Sequence, residues 1–165
     1  MQHNYRRIIM WAVYGLFFLF ITLLQTVVLG DLRLGGAKLN LLPVAVVSIA
    51  VFNTHESGGL FGLLAGLFWA LSGGQDGPIS MVTFSVCGIF AGWLCDTVFA
   101  RRFLPAVVMS LVALVLHQST VFLLQRWLSG AVVPAAWLYR SVLYSWPAVV
   151  VLCPICKLIR KAGGD

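Results

Sequence analysis

The sequence predicts an all-α integral membrane protein, a single transmembrane domain over residues 1–165 built as a compact bundle of about six helices with both termini cytoplasmic. Three observations predict it. Of 165 residues 61% are apolar and only 10% are charged, whereas a soluble domain places about a quarter of its residues as charge because it must face water. The few Lys, Arg, Asp and Glu fall almost entirely at the seams between long apolar runs. Outside those runs no stretch is long enough to bury a core of its own.

The first run, Ile8 to Leu29, holds about 22 residues without a charge, enough at about 1.5 Å per residue to cross a hydrocarbon core of about 30 Å. Arg6 and Arg7 precede it as the basic region of a secretory signal would. A signal's apolar core is only about 7 to 15 residues long and ends in a small-residue cleavage site. The exit here, Thr26-Val-Val-Leu-Gly30-Asp31, offers no such site, so the run is expected to stay as the first helix.

The further apolar runs are 39–52, 58–71, 79–99, 103–124 and 141–159. Ser72-Gly-Gly-Gln-Asp-Gly-Pro78 separates the third from the fourth, and its Gly and Pro content marks a turn. Little more than Arg101-Arg102 separates the fourth from the fifth. The second and third runs are short, in the length range where a re-entrant segment competes with a crossing. Re-entry would hold Asn53-Thr-His-Glu-Ser57 at membrane depth, which is expensive, so two crossings that recruit their polar flanks are preferred.

Positively charged loop residues are retained in the cytoplasm. With six spans one side collects Arg6, Arg7, Arg101, Arg102, Lys157, Arg160 and Lys161, while the other collects Arg33, Lys38, Arg126 and Arg140. Seven against four places both termini inside. The net charge of +6 is explained by basic residues beside an anionic inner leaflet and requires no nucleic acid. Trp127, Trp137, Tyr139 and Tyr144 surround the fifth loop as an interfacial aromatic belt does.

The strongest internal pattern is glycine spacing. Gly58, Gly62 and Gly66 recur every fourth residue, and Gly88 and Gly92 repeat the device in the next span. Each set lines one helix face, where missing side chains let another helix approach closely, so these are expected to be helix-packing seams. Gly62-Leu-Leu-Ala-Gly66 also aligns with Gly88-Ile-Phe-Ala-Gly92, placing Ala70 of the first copy where the second has Asp96.

Polar residues inside the spans are few. Asp96 is a functional candidate as an intramembrane carboxylate, but it lies about 8 Å by helical rise from Arg101, so contact with interfacial water or an Arg is the favoured role. His117, Gln118, Ser119 and Thr120 form a polar step deeper in the fifth span, read as interhelical hydrogen bonding worth about 0.6 to 2 kcal/mol each. Gln25 is placed to bond across a helix pair near the outer end of the first. Cys153-Pro-Ile-Cys156 has CxxC spacing, but a zinc site needs two further ligands and a redox site needs a βαβ context. With no GxSxG, Walker loop, HExxH or carboxylate pair, no catalytic, cofactor-binding or metal-binding residue is assigned, and the chain is not expected to be an enzyme.

Between about Gly15 and Phe99 the chain resembles the bacterial rod shape-determining protein MreD family. The resemblance rests on a long first helix ending in Leu24-Gln25, a basic loop with Gly35-Gly36, and Leu39-Asn40-Leu41-Leu42 opening a short apolar span. A small-residue turn, Glu56-Ser-Gly-Gly59, follows, then Gly62-Leu-Leu-Ala-Gly66-Leu67-Phe68 and the Ser72-Gly-Gly74 break. Leu39 stands where the family commonly has Pro, and Ala70 where it often has Asp. The resemblance implies a multi-pass, non-enzymatic component of the bacterial cell membrane serving the elongasome, which guides peptidoglycan synthesis along the sides of rod-shaped cells. It also implies association with an MreC-like bitopic protein and, through it, with the MreB filament and the peptidoglycan polymerase and transpeptidase. The basic residues Arg101, Arg102, Lys157, Arg160 and Lys161 would then meet membrane lipids or an acidic partner.

MreD is similar in fold to the substrate-binding S components of energy-coupling-factor vitamin transporters, and that function is the alternative. An S component should carry an AxxxA-type seam in its first helix, yet Ala12 is followed four residues on by Leu16. It should also gather polar and aromatic groups at an outer pocket, for which His117, Gln118, Trp137 and Tyr144 are the candidates.

Overall fold

The computed structural model describes residues 2–29, 33–34, 37–72, 77–99, 102–129 and 134–162. Among these, seven α-helical segments follow one another: α1 Gln2–Leu23, α2 Leu42–Phe52, α3 His55–Leu71, α4 Ile79–Thr97, α5 Phe103–Ser129, α6 Ala135–Ser145 and α7 Val149–Ala162. Between α1 and α2 the described residues also form a two-residue antiparallel ladder, with Arg33 opposite Lys38 and Leu34 opposite Ala37. The chain is thus an all-α protein of multi-pass membrane character. Among the described residues four stretches are long and apolar enough to cross a bilayer: Ile8–Val28, Ile79–Thr97, Phe103–Leu128 and Leu138–Ala162.

Helix boundaries depart from the apolar runs where local chemistry overrides hydropathy. Glu56-Ser-Gly-Gly59, expected as a turn, lies in the first turns of α3. The helix starts early because Thr54 caps it: its side chain accepts from the Ser57 amide, and the Ser57 hydroxyl accepts from the Thr54 amide, meeting two donors that would otherwise be orphaned. The turn shrinks to Asn53 and Thr54. Leu39–Leu41, expected to open the second span, precedes the helix. The sixth run becomes α6, a 3-10 turn over Trp146–Ala148 and α7, because Pro147 lacks the amide a regular α-turn would use there.

α2 is the axis of the bundle. All 11 of its residues are buried, and α3, α4, α5, α7 and α1 pack around it. A helix apolar on every side belongs inside a protein or a membrane, and α2, at about 16 Å long, is too short to cross a bilayer unaided. Lipid is left to the outer ring, where α1, α3, α4 and α5 expose large apolar side chains, including Leu16, Phe20, Leu60, Phe90, Trp93 and Leu116.

Candidate functional site

The glycine spacings resolve into one antiparallel contact between α3 and α4. Gly58 and Gly88 face each other so closely that a Cβ on Gly58 would stand 2.5 Å from the Gly88 carbonyl oxygen and 2.6 Å from the Ala50 Cβ of α2. One turn along, a Cβ on Gly62 would collide with the Phe84 carbonyl and Ser85 amide, and one on Gly66 with the Ser80–Met81 backbone. At the other end Gly92 lies against the backbone of His55. Main chain therefore meets main chain along the whole pair, as small residues permit. The Ser85 hydroxyl reinforces it by donating to the Gly59 carbonyl at 3.3 Å.

A second constellation holds α2. A buried helix has no water for its terminal amides and carbonyls, so other elements must supply partners. At the N-terminal end Gln25 does so from a π-helical turn, Leu24–Val28, whose wider winding is a common device for redirecting a side chain. Its amide donates to the Leu39 carbonyl at 2.7 Å and its carbonyl accepts from the Leu41 amide at 2.8 Å. The Asn40 amide donates to the Ser145 hydroxyl of α6 at 2.9 Å, and the Asn40 side chain accepts from Leu42 at 3.3 Å. At the C-terminal end the Arg160 guanidinium of α7 donates to the Phe52 carbonyl, a cation at the negative end of a helix. Next to it the Tyr14 hydroxyl of α1 donates to the Cys156 carbonyl at 2.8 Å.

Asp96 lies at the α4 end that packs on the start of α3, and its Oδ2 is 3.3 Å from Nδ1 of His55. The pair is partly exposed. Arg102, Lys157 and Lys161 are exposed, and Arg101 lies outside the described residues, as do Gly35, Gly36 and residues 73–76 of the expected turn.

His117 and Gln118 are buried and go to different neighbours. Nδ1 of His117 is 3.1 Å from the Thr83 hydroxyl of α4, which also bonds the Ile79 carbonyl at 3.0 Å. A hydroxyl has one hydrogen, so the tautomer of His117 decides which of the two bonds Thr83 donates. The His117 ring also lies against Phe84, centroids 4.5 Å apart. Gln118 donates to the Ser141 hydroxyl of α6 at 2.8 Å. Tyr144, expected beside them, is exposed, as are Trp127 and Tyr139. The Trp137 side chain lies outside the described residues.

Among the described residues no group of three His, Cys, Asp or Glu is placed to hold a metal ion, and the four cysteines are free and buried. The arrangement can brace and pack; the groups it brings together are hydrogen-bonding pairs that tie helices to one another. Sequence reasoning found Gln25 and the glycines but missed Tyr14, Asn40, Thr54, His55 and Ser145. Two signals pointed to some of these. Thr54 and Ser57 have capping-box spacing, and a short run apolar on every side, Leu42–Phe52, asks for partners at its ends. No family model, curated protein or solved structure matches the chain.

Proposed function

We propose that the chain is an MreD-like scaffold of the bacterial cell membrane, crossing it six times with both termini cytoplasmic and supporting lateral cell-wall synthesis through an MreC-like partner. The observation that supports this reading is the α3–α4 contact. The residues that carry the family resemblance, Gly62 to Gly66 and their neighbours, build a main-chain-to-main-chain interface that makes a stiff block on which other membrane proteins can dock. A scaffold needs rigidity more than chemistry. The polar residues that a transporter's substrate subunit would turn toward a ligand are spent inside the bundle, Gln118 on Ser141 and His117 on Thr83, while Tyr144 faces outward.

Depletion in a rod-shaped host tests the proposal. Cells are expected to round up while vitamin uptake stays unchanged, and the purified protein is expected to retain an MreC-like partner on affinity capture. Tight vitamin binding by the purified protein, or unchanged cell shape after full depletion, would overturn it.

A further inference from the structure

Beyond that scaffold reading, a cavity of about 330 Å³ opens between the N-terminal half of α1 and the C-terminal half of α7. Its walls are hydrocarbon, Ile9, Met10 and Val13 from one helix and Leu158, Ile159 and Ala162 from the other, and among the described residues Arg6 is its one charged lining residue. From Arg6 to Val13 the groove runs about 10 Å along the helix axis, roughly a third of a hydrocarbon core of about 30 Å. It descends from a helix end into the depth of one leaflet. Lys157 and Lys161 are exposed on the same helix that forms one wall. Arg160, one residue before Lys161, turns inward to the Phe52 carbonyl instead. Neither described acid of this end, Glu56 or Asp96, lines the groove, and Asp96 is within 3.3 Å of His55.

A cation at the mouth, hydrocarbon below it and further cations beside it are the complement of one kind of molecule. We infer that this groove seats an anionic phospholipid of the leaflet at the termini's end, its phosphate against Arg6 and one acyl chain along Ile9, Val13 and Leu158. A zwitterionic lipid offers the same phosphate but adds a cation that Arg6 and the neighbouring lysines repel. A soluble acidic peptide could meet the charges but would leave the apolar walls uncovered.

Electron paramagnetic resonance of the full chain in phosphatidylcholine vesicles tests this, with nitroxide-labelled phosphatidylglycerol or phosphatidylcholine as the probe. The motionally restricted fraction reports each lipid's relative association. The wild type is expected to prefer phosphatidylglycerol, and Arg6→Gln to reduce that preference about fivefold, the effect of one basic residue near an anionic surface. Ile9→Trp keeps every charge but fills the groove, and it should reduce the preference comparably; Ala162→Trp does the same from the opposite wall if the first variant misfolds. No preference in the wild type overturns the inference. So does loss in Arg6→Gln with full preference in both Trp variants, which would mean surface charge without a seat. Cell-shape effects of depletion are read separately, so failure here leaves the scaffold reading intact.

Discussion

Replacing Gly58 by Ala adds one methyl group where the structure has no room for it. The new Cβ would stand 2.5 Å from the Gly88 carbonyl oxygen, while ordinary contact begins at 3.4 Å, so α3 and α4 must part by about the difference, 0.9 Å. A gap of about 0.5 to 1 Å forfeits a quarter to a half of each dispersion contact across it, and overpacking of this kind costs about 1 to 3 kcal/mol. Ala50 of α2, 2.6 Å from the same position, blocks retreat to the other side, so the upper half of that range is expected. At about 2 to 4 °C per kcal/mol for a chain of this size, the apparent melting temperature in detergent should fall by about 5 °C or more. Gly15→Ala is the matched control, because a Cβ there meets nothing within 4 Å and Ala is the better helix former by about 1 kcal/mol. Gly58→Ala combined with Gly88→Ala should cost less than the sum of the two, since both methyl groups open the same gap. Tryptophan-fluorescence melting of the wild type, Gly58→Ala, Gly88→Ala, the double variant and Gly15→Ala decides it. Equal melting of Gly58→Ala and Gly15→Ala would refute the close-contact reasoning.

Three other perturbations probe the remaining constellations. Gln25→Leu leaves the Leu39 carbonyl and Leu41 amide without their partner in a buried site; it should destabilise by about 1 to 3 kcal/mol per group and raise hydrogen exchange at Leu41, and unchanged exchange there would count against the clamp. Thr54→Ala removes the cap of α3 at about 1 kcal/mol, with faster exchange confined to residues 55–57; faster exchange throughout α3 would instead mean that the helix depends on its cap. The four buried, free cysteines should resist a membrane-permeant maleimide in the folded protein and label once it is unfolded, whereas rapid labelling of Cys153 or Cys156 in the native state would contradict their burial.

Much of the fold could be read from hydropathy because lipid and core both select apolar residues, and charge marks where the chain leaves them. Glycine spacing likewise named the right faces: Gly58, Gly62 and Gly66 share one side of α3, and Gly88 and Gly92 share one side of α4. Spacing cannot say which face meets which, because that depends on the relative placement of two helices, and here it is each other they meet. The His55–Asp96 pair was hidden for the same reason, its members being 41 residues apart in sequence. The start of α3 was misplaced because hydropathy treats Thr54, Glu56 and Ser57 as loop, whereas two reciprocal side-chain bonds make them a helix start. The role of Gln25 exceeded its expectation because a bond to backbone, unlike one to a matching side chain, leaves no partner residue to recognise in the sequence.

The buried axis also fixes an order of events during synthesis. α2 emerges second, and although Gln25, just after α1, is already there for its start, two of the groups that close its ends come from later chain: Ser145 receives the Asn40 amide and Arg160 meets the Phe52 carbonyl. Until those residues have been made, a helix too short to span the bilayer unaided lacks the partners of its Asn40 amide and Phe52 carbonyl and has no permanent neighbours on its α5 and α7 sides. The early half of the protein therefore waits, provisionally inserted, for the late half to arrive. A ribosome stalled before α7 would leave in the membrane an incomplete bundle of exposed backbone, a form that quality-control proteases could tell from the finished protein by its unclosed centre.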